Sequence, residues 1–276
     1  MTDLVTVIGG GIMGAGIAYV ARCAGYPVTV VEADPGFVDG ARARVEHYVS
    51  RARDRGDELA GLGTLEVTTD LPVAVARSSV VVEAVSENLE LKCGVFAAVG
   101  AAAPETAVLA SNTSGLPIEV LGAASGRPVQ VVGLHFFNPV PSMKLVEVIR
   151  AGETSSDTLE RALAFCHVLG KETVEVRDLP GFVTTRLGTV LMCEAIRALE
   201  QGVASPEHID RGMQLGYNHP MGPLELADRV GLDTLLAILD DLRQAYGDAF
   251  RAPPLLRQMV AAGKHGRKSG QGFYAY

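Results

Sequence analysis

Leu4-Val-Thr-Val-Ile-Gly-Gly-Gly-Ile-Met-Gly14 decides how the first half of the chain folds. Five apolar or β-branched residues make a short buried strand, three glycines end it, and Ala15 to Ala24 reads as a helix. In the spacing Gly9-x-Gly11-x-x-Gly14, the first glycine allows a tight turn, the second admits a pyrophosphate against the backbone, and the third lets the helix pack close to the strand. Phosphates would rest on N–H groups at the helix N-terminus, with Gly10, Ile12 and Met13 completing the loop. The next strand, Val28-Thr-Val-Val31, closes a βαβ unit of about thirty residues and delivers Glu32, a carboxylate suited to accept from ribose hydroxyls. A dinucleotide site follows. Glu32 would repel a 2′-phosphate, and Ala33-Asp34-Pro35 offers no arginine to neutralise one, so NAD is expected rather than NADP.

Composition narrows the remaining choices. With 276 residues the chain suggests two domains, at a prior of about 150 residues each, and 48% hydrophobic residues provide ample core. A formal charge of −8, with no basic run interleaved with aromatics, argues against a nucleic-acid partner. Cys23, Cys93, Cys166 and Cys193 stand far apart without CxxC spacing, which indicates neither a metal site nor a disulfide framework and fits a reducing compartment. No basic segment precedes Gly9 and no run of eighteen apolar residues occurs, so the expectation is a cytoplasmic protein with neither signal peptide nor membrane span.

Beyond Glu32, Phe37 to Leu62 is an arginine-rich helical stretch carrying Arg42, Arg44, Arg51, Arg53 and Arg55, read as a solvated face. Thr64 to Thr68 and Val80 to Val85 read as strands, the second buried on both faces as in a parallel sheet. Its end reaches Ser86-Glu-Asn-Leu-Glu-Leu-Lys92, which places Glu87 and Lys92 at the ligand crevice of an open α/β sheet. A further strand, Thr106 to Ala110, ends in Ser111-Asn-Thr-Ser-Gly115, where Ser114 competes as the N-cap of a helix starting near Pro117 but, at the end of a parallel strand, is read as a ligand contact.

Val129 to Leu134 and Lys144 to Arg150 read as two strands separated by Asn138-Pro-Val-Pro141. Folded as a hairpin centred near Pro141, they make His135 and Glu147 cross-strand neighbours. An imidazole beside a carboxylate is the minimum apparatus of general base catalysis. The competing reading is a satisfied structural histidine with an edge-strand glutamate. After Asp157 the pattern turns helical, apart from a last strand at Thr173 to Val176 before the break at Asp178-Leu-Pro-Gly181. Helices are expected at Arg186 to Gln201, from Ser205-Pro206 onward, and at Asp233 to Tyr246, with Tyr217 to Pro223 as a loop.

These stretches together resemble the NAD-dependent 3-hydroxyacyl-CoA dehydrogenases, most closely the short bacterial 3-hydroxybutyryl-CoA type. The resemblance rests on Gly9 to Ala18, Val82 to Leu89, Ser111 to Leu116, Leu134-His-Phe-Phe-Asn-Pro-Val-Pro141, Met143 to Glu147, Pro180 to Val183, His219-Pro-Met-Gly-Pro-Leu-Glu-Leu226 and Gly266 to Tyr274. It implies an α/β fold, a Rossmann-type doubly wound sheet over 1–180, followed by an all-α domain over 181–276 that supplies a homodimer contact and one wall of the cleft. It further implies an oxidoreductase of fatty acid metabolism that interconverts 3-hydroxyacyl and 3-oxoacyl thioesters of coenzyme A with NAD. His135 is then the base and Glu147 its partner, Ser114 contacts nicotinamide and substrate, and Asn138 belongs to the substrate and cofactor site. Glu87, Lys92 and Lys268 become cofactor contacts. The chemistry takes one proton from the C3 hydroxyl while hydride leaves C3, which one neutral imidazole serves without a metal.

Two features depart from that family. Thr185 stands where the family has asparagine, leaving a shorter substrate contact with no amide pair. The segment between Glu32 and Thr69, where a helical arm should grip the coenzyme A nucleotide, is short. Three readings follow: a CoA-thioester dehydrogenase, the same chemistry on an acyl-carrier-protein thioester in polyketide extender-unit synthesis, and an inert crystallin-like relative. Retention of His135, Glu147 and Ser114 together opposes the last.

Overall fold

The computed structural model describes residues 3–276. The chain divides into two compact units, Met1–Leu179 and Pro180–Tyr276. The first holds an eight-stranded sheet: β1 (Leu4–Ile8), β2 (Val28–Val31), β3 (Leu65–Thr68), β4 (Ser78–Glu83), β5 (Val108–Ser111), β6 (Val131–Phe136), β7 (Leu145–Arg150) and β8 (Glu172–Arg177), in the order β3-β2-β1-β4-β5-β6-β7-β8. All neighbours run parallel except β6 and β7. Helices α1 (Ile12–Cys23), α2 (Pro35–Asp54), α3 (Leu71–Val75), α4 (Leu89–Ala102), α5 (Ile118–Ser125) and α6 (Ser156–Val168) connect the strands. Strands β2, β5 and β6 are buried throughout, so they read as continuous apolar runs rather than alternating ones. The chain moves outward one way from β1 through β2 and β3, and the other way from β4 onward. The crevice at the switch point therefore opens at the C-terminal ends of β1 and β4.

Helix α2 shows why its arginines face water. Ala41, Val45, Val49 and Ala52 form the buried stripe, while Arg42, Arg51 and Arg53 lie outside it. It ends at Asp54 rather than near Leu62, and turns lead directly to β3, so the expected arm is a single helix. Strand β6 also differs from its sequence reading, beginning at Val131 and running on through His135 to Phe136. Backbone pairing with β7 carries it past the apolar run that suggested Leu134 as its end.

The second unit contains α7 (Thr184–Glu200), α8 (Pro206–Tyr217), α9 (Pro223–Val230), α10 (Leu232–Tyr246) and α11 (Pro254–Ala261). Leu224, Leu232, Leu235, Leu239, Ile196 and Leu256 form its core. Two of these helices, α9 and α11, are short, and sequence periodicity did not mark them. Pro223 and Pro254 at their first positions are the signal in hindsight. Buried Asp210 on α8 serves as cap to α9, its carboxylate accepting from Leu224 N at 2.8 Å and Glu225 N at 2.9 Å, and from Tyr274 Oη at 2.8 Å. Buried Asp228 likewise holds Phe273 N, Tyr274 N and Tyr276 Oη. Among the described residues no helix is long and apolar enough to cross a membrane.

Replacing Asp210 with Ala removes three charge-assisted bonds and leaves two amide donors at a buried helix start without their acceptor. A loss of about 3–5 kcal/mol in unfolding free energy is expected, measured by urea denaturation of the variant beside wild type.

Candidate active site

The antiparallel pairing of β6 with β7 builds the first part of the site. Its register sets His135 opposite Glu147 and Gly133 opposite Ile149. At Gly133 a side chain would fall 2.8 Å from Ile149 Cβ, so glycine is what lets the strands and their neighbours pack here. His135 Nδ1 lies 2.8 Å from Glu147 Oε2. Glu147 is fully buried and His135 is 8% exposed. A carboxylate only accepts, so Nδ1 carries the proton and Nε2 becomes the nitrogen available to basic chemistry. The Phe137 ring packs on the imidazole with centroids 4.4 Å apart, and Asn112 Oδ1 receives Phe136 N at 3.0 Å, fixing the end of β6 to the loop after β5. The turn between the strands is pinned from below by buried Lys171, whose Nζ donates to Val140 O at 2.5 Å and Met143 O at 2.8 Å. Burial lowers the Lys171 pKa.

A buried charge chain forms the second part, at the ends of β4 and β5. Glu83 accepts from Lys92 Nζ at 2.7 Å, Ser111 Oγ at 2.6 Å and Val85 N at 2.6 Å. Lys92 also reaches Val85 O at 3.2 Å and Glu87 Oε2 at 3.2 Å, which engages all three of its N–H groups. Glu87 Oε1 in turn takes Thr113 Oγ1 at 2.6 Å, Ser114 N at 2.8 Å and Ser114 Oγ at 3.1 Å. Burial pushes the Glu87 carboxyl up, but the Lys92 charge and the donors from Thr113 and Ser114 outweigh it and hold the group below the usual carboxylate range. The geometry differs from the sequence reading in one respect. Lys92, expected at a ligand, is 1% exposed and spends its amine on protein acceptors. For Ser114 the competing cap reading is removed, since α5 starts after Pro117 without a side-chain cap and Ser114 binds Glu87. Glu83 and Thr113 were missed, because an acid ending an apolar strand gives no local sign of its partners.

The glycine loop is the third part. Gly9 has φ +93°, and a Cβ there would lie 2.8 Å from Ala84 O; one at Gly14 would lie 1.8 Å from Gly9 O. A Cβ built on Gly11 would meet nothing within 4 Å, so that side of its backbone faces open space at the start of α1, with Ile12 exposed and Met13 half-buried beside it. Glu32 Oε1 accepts from Gly10 N at 2.9 Å, and Arg44 Nη1 donates to Gly10 O at 2.9 Å. An arginine therefore does reach this loop, from α2, contrary to the reading of residues 33–35 alone. A cavity of about 400 Å³ lies beside it, walled by Gly9, Gly11, Glu32, Phe37, Val85 and Leu91. The open glycine backbone, the uncapped helix start and the acid at the pocket edge fit the pyrophosphate and adenosine of a dinucleotide.

The remaining expected residues lie as follows. Asn138 is exposed, at the cis Asn138–Pro139 bond in the β6–β7 turn. In the helical unit, Thr185 sits in the first turn of α7, and Lys268 Nζ lies 2.6 Å from the Asp233 carboxylate. No group of His, Cys, Asp and Glu among the described residues is arranged to hold a metal ion, and the four cysteines are unbridged.

Residues 4–179 match the family described as 3-hydroxyacyl-CoA dehydrogenase, NAD binding domain, and residues 181–276 match its C-terminal domain. A probable 3-hydroxybutyryl-CoA dehydrogenase of Deinococcus radiodurans is 46% identical over 275 residues, 98% of this chain and 99% of that protein. One of Bacillus subtilis is 42% identical, over 99% of this chain and 96% of its own. The crystal structure of (S)-3-hydroxybutyryl-CoA dehydrogenase PaaH1 from Ralstonia eutropha superposes with a TM-score of 0.94 at 38% identity, covering 100% of this chain and 99% of that one.

Lys92→Met would leave Glu83 buried without its counter-charge, a loss of about 3–5 kcal/mol. The pH dependence gives a second readout. Because the Glu87 pKa is lowered, its stabilising contribution is complete above the ordinary carboxylate pKa and is lost as pH falls through the folded value. Without Lys92 that loss should begin at higher pH, as urea midpoints taken between about pH 7 and pH 3 would show.

Proposed function

The chain belongs to the 3-hydroxyacyl-CoA dehydrogenase family, and from that premise we propose that it oxidises short 3-hydroxyacyl-CoA thioesters, 3-hydroxybutyryl-CoA first among them, to the 3-oxoacyl thioesters. The observation that carries the reading is the buried His135–Glu147 pair at 2.8 Å. Glu147 holds the imidazole in the tautomer with its proton on Nδ1 and stabilises the imidazolium that forms when Nε2 takes the proton of the C3 hydroxyl. In reduction the same nitrogen returns that proton. Gly9 to Gly14 and Glu32 would hold NAD, whose nicotinamide would supply the hydride acceptor. Ser114, whose amide and hydroxyl both donate to Glu87, is assigned with Asn138 to the substrate end of the site on the family pattern. Lys92 acts one step behind, by fixing Glu87. Lys268 and Thr185 are assigned to cofactor and substrate on the family pattern.

The relatives named for coenzyme A thioesters favour that carrier over an acyl carrier protein. We also assign the chain to a homodimer in the cytoplasm. The helical unit leaves Leu187 of α7 65% exposed and Leu215 of α8 69% exposed, apolar surface that a second copy would cover.

His135→Gln should abolish NADH formation from 3-hydroxybutyryl-CoA while NADH still binds, and turnover near wild type would end this mechanism. Glu147→Gln keeps the shape but removes the charge, with an expected fall in kcat of about 100-fold to 10,000-fold. Thr185→Asn tests the acyl group: kcat on 3-hydroxybutyryl-CoA should rise, by up to about 100-fold, if this is the natural substrate. An unchanged or lower rate would point to a different acyl chain. Sedimentation at micromolar concentration tests the dimer.

A further inference from the structure

Gly10 is held from two sides by side chains of opposite charge. Its N–H donates to Glu32 at the end of β2, and its carbonyl accepts a hydrogen bond from Arg44 on α2, each at 2.9 Å. Three elements converge at this residue, since a Cβ on Gly10 would fall 2.4 Å from Ala41 Cβ and 2.7 Å from Glu32 Oε1. Arg44 reaches the loop by lying along its own helix over Gly40, where a Cβ would be 3.7 Å from its Nη2. The guanidinium offers five N–H groups, of which the Gly10 carbonyl takes one, and the residue is exposed.

This arrangement bears on cofactor choice, and it rests on the reading of the loop as a dinucleotide site. An acid at the end of the second strand selects a ribose with a free 2′-hydroxyl, whereas a nearby arginine accommodates a 2′-phosphate. Here both are present, on the same loop residue. We propose that Arg44 is a specificity-determining residue, a ready-made ligand for a 2′-phosphate that Glu32 keeps silent. With Glu32 in place, a phosphate dianion meets a carboxylate, and the Gly10 N–H is already taken. Removing that carboxylate frees the Gly10 N–H and leaves the guanidinium where it stands, so one substitution uncovers both an amide donor and a bidentate cation. The expected behaviour is an enzyme selective for NAD that lies a single residue from accepting NADP.

Binding of adenosine fragments tests this apart from turnover. Wild type should bind ADP well and 2′,5′-ADP poorly by titration calorimetry. Glu32→Ser should improve 2′,5′-ADP relative to ADP by about 100-fold, and adding Arg44→Met should remove at least about tenfold of that gain, the range of one charge-assisted pair. Arg44→Lys in the same background should keep part of it, because charge remains and the fork is lost. The ratio of kcat/KM for NADPH and NADH should follow the same order. The proposal falls if Glu32→Ser gains nothing for 2′,5′-ADP while wild type binds ADP, or if the Arg44→Met double variant binds 2′,5′-ADP as tightly as Glu32→Ser. Wild type that binds neither ADP nor NADH would remove the dinucleotide reading itself, and this proposal with it.

Discussion

The site depends on one buried hydrogen bond, between the imidazole of His135 and the carboxylate of Glu147. A carboxylate with no solvent exposure is tolerated only where a donor meets it, and here strand register supplies the donor. Side chains alternate faces along a strand, so a slip of one residue between β6 and β7 would send Glu147 to the opposite face from His135. The surrounding contacts act to prevent that slip. Gly133 admits Ile149 at close range, Asn112 holds the backbone at Phe136, and Lys171 fastens the turn through two carbonyls. The single antiparallel pairing of the sheet is what brings an acid and a base into a cross-strand pair.

A second pattern recurs across the first unit. Groups suited to meet a ligand are small or belong to the backbone, and charged side chains behind them set their direction. Ser114 presents a hydroxyl aligned by Glu87, which Lys92 holds, which Glu83 neutralises. Gly10 is aligned by Glu32 and Arg44 in the same way. Such support costs desolvation, and it is repaid by satisfying nearly every donor and acceptor in the chain of contacts. The result is a set of polar atoms whose directions the protein itself fixes.

Family membership sharpens these observations without replacing them. The match over residues 4–179 and 181–276 says that a hydroxyacyl-CoA dehydrogenase scaffold is present. The geometry says which polar atoms of this chain meet, His135 with Glu147, Ser114 with Glu87 and Gly10 with Glu32.

Much was legible from the residues themselves. The strand-glycine-helix order at Leu4 to Cys23, the acid at Glu32, the hairpin that pairs His135 with Glu147 and the change to helices after residue 180 all follow from periodicity, turn residues and short spacings, properties of neighbours along the chain. The tertiary structure alone decided that Lys92 is an interior cation, that Glu83 lies beneath the Ser111 loop, that Ser114 serves Glu87 rather than capping α5, and that Arg44 crosses back to Gly10. Those partners come from different elements, and no local pattern records which charge meets which. An isolated charged residue reads as solvated until the sheet order places its counter-charge beside it, because in water the pair gains little and only burial makes the pairing obligatory.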